Sequence, residues 1–425
     1  MAQTIRSQRL NESYTKIEHS SGLTLLLYPM QGYSGSYALF TTKYGSVDTC
    51  FKTGADADFA EVPAGIAHFL EHKMFESEEG DAFARYAATG ASANAYTSFD
   101  RTAYLFSCSD NFAQSIEILL DFVTKPYFTK ETVEKEQGII GQEIKMYDDS
   151  AEWRVFFNLL GALYHHNPVR IDIAGTVETI AEIDAELLYR CYHTFYNLRN
   201  MVLAVAGNFE IETVLEAADR ILKPAPEVTI ERMAPPEPWE VREKRVEQHL
   251  PVALPLFQMG FKGNGAVADD AKNFYGMLED ELLLDILAGE ATPLYRRLFD
   301  AGLINQTFTG EAMAGSGYSI AMMSGESRDP DEVCAQILEE VRCIQREGID
   351  PEAFARTKKM AYGRHVGSFG KVEAVASLLV TTHFSGVEAY DLLDFIAKLT
   401  LEQLSERFAE SFHTERCALS VVKQG

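Results

Sequence analysis

The chain has 425 residues, 46% of them hydrophobic and 24% charged, with a formal net charge of −25, which fits a folded protein of two domains or more. So large a negative charge argues against a nucleic-acid binder, which needs a basic face to neutralise phosphates, and against docking on anionic membrane. No apolar run reaches the ~20 residues that span a bilayer, the polar N-terminal stretch lacks the apolar core of a secretory signal, and six scattered cysteines form no CxxC pair, so a cytoplasmic, reducing setting is expected.

In chain order, "GLTLLLYPM" (22–30) and "SYALFTTKYGS" (36–46) read as strands, and "AGIAHFLEHKMF" (64–75) has helical periodicity. "SDNFAQSIEILLDFVTKPYF" (109–128) reads as a second helix with Ser109 or Asp110 as its N-cap. "LLYRCYHTFYNLRNMVLAVAGN" (187–208) reads as an amphipathic helix, a short turn and an apolar alternating strand. Five of the fourteen prolines then fall between 224 and 238, marking an extended segment. Beyond it, "LPLFQMGFKG" (254–263) is a strand and "FYGMLEDELLLDILAG" a helix ending at Gly289. The last 22 residues of helix and strand, "QLSERFAESFHTERCALSVVKQ" (403–424), lie on 187–208 without a gap, matching Leu188 to Leu404, Tyr192 to Phe408 and Val205 to Val421. Blocks of strands and helices without βαβ alternation give an α+β class. The halves are expected to be related domains: residues 1–225, a linker at 226–244, and 245–425.

The first half carries the chemistry. On a helix, His68 and His72 project one turn apart along nearly the same line, with Glu71 beside them. Two imidazoles so placed can hold one zinc ion, and a neighbouring carboxylate can take the proton of an attacking water; the spacing is the inverted zincin pattern HxxEH. A third ligand is expected from "ETVEKEQGIIGQEIKMYDD" (131–149), where Glu136 and Glu143 lie two turns apart, ~10 Å along the axis. One would ligate and the other orient a neighbour; spacing alone leaves open which.

With "GIAHFLEHKMFE", "GASANAYTSFDRTAYLFS", "EKEQGIIGQEIKMYDD" and "HNPVRIDIAGTVETI" in view, the chain resembles the pitrilysin/insulinase family of zinc metallopeptidases over essentially its whole length, and more narrowly the bacterial YmfH-like branch. The resemblance implies two pitrilysin-like α/β-sandwich domains forming one half of a clamshell, and one zinc ion per chain. It implies Glu143 as the third ligand, Glu136 as a supporting carboxylate counted with the catalytic residues, and Asn94 and Ala95 on a sheet edge that receives a peptide substrate as an added strand. The family's carbonyl-binding arginine and tyrosine have no counterpart: their register falls on Phe299 and Asn305, although Arg296 and Arg297 lie close by. Moving His68, Glu71 and His72 forward by 216 residues lands on Leu284, Leu287 and Ala288, so the second half is expected to be metal-free and interfacial. The expected function is a zinc endopeptidase or oligopeptidase paired with a homologous subunit lacking HxxEH, or a homodimer; the alternative is a non-proteolytic assembly subunit.

Overall fold

The computed structural model describes residues 2–78 and 80–425. They form two compact units: Met1–Ile144 with Asp172–Met233 and Val366–Tyr390, and Lys145–Ile171 with Ala234–His365 and Asp391–Gly425. Neither unit is contiguous, so the division does not follow the proline-rich stretch alone.

The first unit is built on seven strands: β1 (Ala2–Ser7), β2 (Glu12–Glu18), β3 (Thr24–Pro29), β4 (Ser36–Thr42), β5 (Ser92–Thr97), β6 (Thr102–Cys108) and β7 (Met201–Gly207). Their order is β1-β2-β3-β7-β4-β6-β5. Only β3 and β7 run parallel; the other pairs are antiparallel. The alternation expected for β7 is corrected: the strand is buried along its whole length, so both of its faces carry apolar residues. β5 lies at the sheet's end and alternates exposed and half-buried residues.

Four helices concern the site: α1 (Ile66–Met74), α2 (Ala82–Thr89), α3 (Phe112–Val123) and α4 (Lys130–Asp148), the last belonging to this unit as far as Ile144. Helix α1 lies over β5 and β6, burying Ile66, Phe69, Leu70 and Met74. Its N-cap, Gly65, has φ +93°, and a Cβ there would sit 2.5 Å from the Ala174 carbonyl oxygen. Only glycine permits both that dihedral and that approach. The N-cap expected for α3 is corrected: Asn111, at φ +54°, precedes the helix and makes no side-chain cap. Asparagine tolerates the left-handed region, and its amide donates instead to the Thr89 carbonyl at 2.9 Å.

The second unit has five strands, β8 (Arg245–His249), β9 (Leu256–Gly263), β10 (Thr309–Gly315), β11 (Tyr318–Glu326) and β12 (Cys417–Lys423), in the order β8-β12-β9-β11-β10. Here β8 and β12 are the parallel pair and the rest antiparallel. This reproduces β3-β7-β4-β6-β5 in both order and direction, the same fold written twice. Helix Ala185–Phe195 with β7, and helix Leu401–Ser411 with β12, are offset by 216 residues throughout. One helix is exchanged between the copies: α5 (Ala151–Leu163) packs on β9 and β12, whereas Val372–Phe384 packs on β4 and β7.

Candidate metal centre

Helix α1 presents His68 and His72 with ring centroids 4.6 Å apart, and α4 brings Glu143 to both. Glu143 lies 3.8 Å from His68 Nε2 and 3.3 Å from His72 Nε2. One donor atom from each of the three residues falls within 4.8 Å of the others, the sole such group among the described residues. A tetrahedral zinc with ligand bonds of ~2.0–2.1 Å needs donors ~3.4 Å apart, and the observed spacings straddle that figure. Donor chemistry fits as well: two imidazoles and a carboxylate suit zinc.

The two glutamates of α4 occupy different places. Glu136, buried, accepts from His72 Nδ1 at 3.0 Å, on the ring edge away from Glu143. A carboxylate there fixes the ring's orientation and leaves Nε2 to face the other donors. His68 has no such support: its Nδ1 is buried without a hydrogen-bond partner.

Burial and charge set the three titrations apart. Burial, then the adjacent His72 ring, push His68 down to about 4. Burial disfavours the His72 imidazolium too, but hydrogen bonds to Glu136 and Glu143 outweigh it and lift that ring to about 10. Without metal, the His72 ring would therefore bridge the two carboxylates, Glu136 at Nδ1 and Glu143 at Nε2. Burial raises the Glu71 carboxyl, opposed in part by the Thr97 hydroxyl and His72.

Glu71, His72, Glu136, Asn94 and Ala95 all line one cleft of about 470 Å³. Asn94 and Ala95 sit on β5, whose far side pairs with no strand among the described residues; the Asn94 side-chain oxygen accepts from the Ala95 amide at 2.9 Å. Three features in or beside the cleft have no signal in the sequence. Thr97 donates to Glu71 Oε2 at 2.8 Å; the period of two along "NAYT" puts it on the Ala95 face. Phe75 and Phe83 stack at 4.3 Å as an aromatic wall, and Lys135 lines the same cleft. The positions considered for a carbonyl clamp are otherwise engaged. Asn305 bonds Glu326 and Thr307, Arg297 bonds Gln336 and Glu340, and Phe299 stacks on Tyr295.

An α+β unit repeated twice, with an inverted His–Glu–His helix and a converging carboxylate in the first copy, defines the class as a zinc-protease-type fold. The chain belongs to peptidase family M16: residues 41–177 match the insulinase (peptidase family M16) model and 182–361 the peptidase M16 inactive domain. It is 36% identical to the uncharacterized zinc protease YmfH of Bacillus subtilis (strain 168), across 99% of each chain. A putative M16-like peptidase from Alicyclobacillus acidocaldarius is 37% identical, with a TM-score of 0.91 over 100% of this chain and 98% of that one. Pitrilysin, 17% identical, shares the fold at a TM-score of 0.76, covering 99% of this chain and 46% of that chain. No helix among the described residues is long and apolar enough to cross a membrane.

Proposed function

We propose that the chain is a zinc-dependent endopeptidase or oligopeptidase acting on peptides or unfolded segments. The observation that carries this reading is the convergence of His68, His72 and Glu143 where His72 and Glu71 line a cleft bordered by the open strand β5. A zinc ion held by those three residues would supply Lewis acidity toward a water and the scissile carbonyl. Glu71 takes the water's proton as it attacks and passes it to the leaving amine. Glu136 holds His72 in one tautomer and orientation. The substrate backbone adds to β5 as a further strand, displacing the Asn94 side chain from the Ala95 amide.

The absence of an arginine–tyrosine clamp in the second unit favours pairing with a homologous subunit that lacks HxxEH and supplies those groups; a homodimer is the other arrangement. The test is a quenched-fluorescent peptide library with zinc-loaded chain, alone and with the sister subunit. Cleavage that vanishes in Glu71→Gln while zinc stays bound supports the reading. Bound zinc with no cleavage in any combination moves the chain to the assembly-subunit reading.

A further inference from the structure

We propose that Thr97 is a positioning residue for Glu71, fixing which carboxylate oxygen faces the cleft. This inference rests on the peptidase reading above. Three hydroxyl contacts decide the wiring. Thr97 Oγ1 lies 2.8 Å from Glu71 Oε2. Thr102, opposite it across the antiparallel β5–β6 pair, lies 2.9 Å from the Tyr44 carbonyl and 3.4 Å from Thr97 Oγ1. A hydroxyl has one proton, and Thr102 commits its own to the nearer carbonyl. The Thr97 proton therefore goes to Glu71, whose Oε1 takes no hydrogen bond among the described residues and is left to the cleft.

The donor is itself held. β5 turns into β6 through Ser98–Arg101, closed by the Ser98 amide donating to the Arg101 carbonyl at 2.8 Å. The Arg101 guanidinium pairs with Asp100 and donates to Thr381 Oγ1 at 2.8 Å. Glu71, on a helix, is thus registered against the strand that borders the cleft. If a substrate adds to β5, base and substrate backbone share one reference frame, and the hydroxyl transmits it. A displacement of ~1 Å in such a group costs on the order of 100-fold in rate.

The experiment compares Thr97→Val, which keeps the shape and removes the proton, with Thr97→Ser, which keeps the proton. Expected for Thr97→Val are a ~10–100-fold fall in kcat, a KM within about twofold of wild type, and unchanged zinc stoichiometry by atomic absorption; Thr97→Ser recovers most of the rate. Equal rates in Thr97→Val and wild type, or equal losses in Val and Ser, overturn the proposal. A second arm needs no turnover: metal-free melting temperatures of wild type, Thr97→Val, Glu71→Ala and the double variant. A non-additive shift is expected, since each single change removes the same hydrogen bond; additive shifts refute the contact. Wild type that binds zinc without cleaving any peptide overturns the peptidase reading and this role together. A non-additive melting shift would then leave Thr97–Glu71 as a structural bond only.

Discussion

Gly65→Ala tests whether the fold places α1 by close backbone approach. At φ +93° a side chain costs ~1–2 kcal/mol from left-handed geometry alone. The added Cβ would also lie 2.5 Å from the Ala174 carbonyl oxygen and 2.9 Å from its carbon. Real carbon–oxygen contacts are wider, so the start of α1 or the 174–175 segment must move by several tenths of an ångström. Overpacking of this kind costs ~1–3 kcal/mol, giving a total of ~2–5 kcal/mol. Gly32→Ala is the internal control: φ is +83°, but nothing lies within 4 Å of the added Cβ. Urea denaturation of both metal-free variants separates the two contributions. Gly65→Ala should lose clearly more stability than Gly32→Ala, and weaken zinc binding as well, because His68 starts the next turn from Gly65. Equal losses, or a Gly65→Ala protein with wild-type zinc affinity, would refute the argument that this approach sets the metal-binding helix.

Four further outcomes follow from the same geometry. Glu136→Gln should weaken zinc ~10–100-fold by competition with a chelating dye, because the charge holding His72 Nδ1 is lost; unchanged affinity would remove Glu136 from the site. In chelator-treated protein His72 titrates at about 10 against an ordinary 6.5, so its contribution is full below 6.5 and is lost as pH rises through about 10. The melting-temperature gap between wild type and His72→Gln should therefore shrink between pH 7 and 10; a constant gap would contradict the paired imidazolium. His68, lowered to about 4, acts oppositely: the unfolded chain takes up the proton first, so its burial costs stability as pH falls from 6.5 toward 4, and His68→Leu should flatten that part of the profile. In the second unit Glu237 accepts from the amides of His165, His166 and Asn167 and pairs with the fully buried Lys262. Removing it leaves that ammonium without a carboxylate, held only by the Glu240 carbonyl and the Tyr164 ring, so Glu237→Ala should cost ~3–5 kcal/mol by denaturant titration, whereas a loss below 1 kcal/mol would deny the buried pair.

What could be read in the sequence was what depends on local period. His68, Glu71 and His72 are placed by one helical turn, and β7 and β12 by apolar stretches after amphipathic helices. Glu136 and Glu143 resisted, because both face the same way on α4 and only the docking of α4 against α1 decides which meets Nδ1 and which Nε2. The β1–β2 hairpin was passed over since its residues are largely polar and exposed, with little apolar alternation to mark it. The exchange of α5 and Val372–Phe384 is a matter of which sheet each helix covers, and composition carries no trace of it. Proline content likewise reported chain stiffness in the 224–238 stretch, not that Glu237 within it anchors three amides.

The duplication also bears on why only the first copy gathers candidate ligands among the described residues. The second-unit counterpart of α1 is a helix of 19 residues, Asp270–Ala288, against 9 in α1. It packs along the edge strand β10, and a Cβ on Gly310 of that strand would sit 3.2 Å from the Leu284 side chain. Leu284, Leu287 and Ala288 are buried in the unit's main apolar cluster. Ligands need a cleft that water and substrate can enter, and here the same corner of the fold has been closed by aliphatic packing. Introducing histidines at 284 and 288 would bury imidazoles among leucines without partners, at a cost of several kcal/mol. The expected result of Leu284→His with Ala288→His is therefore a destabilised protein that binds no second zinc, and a stoichiometry rising to two ions per chain would refute this account of the asymmetry.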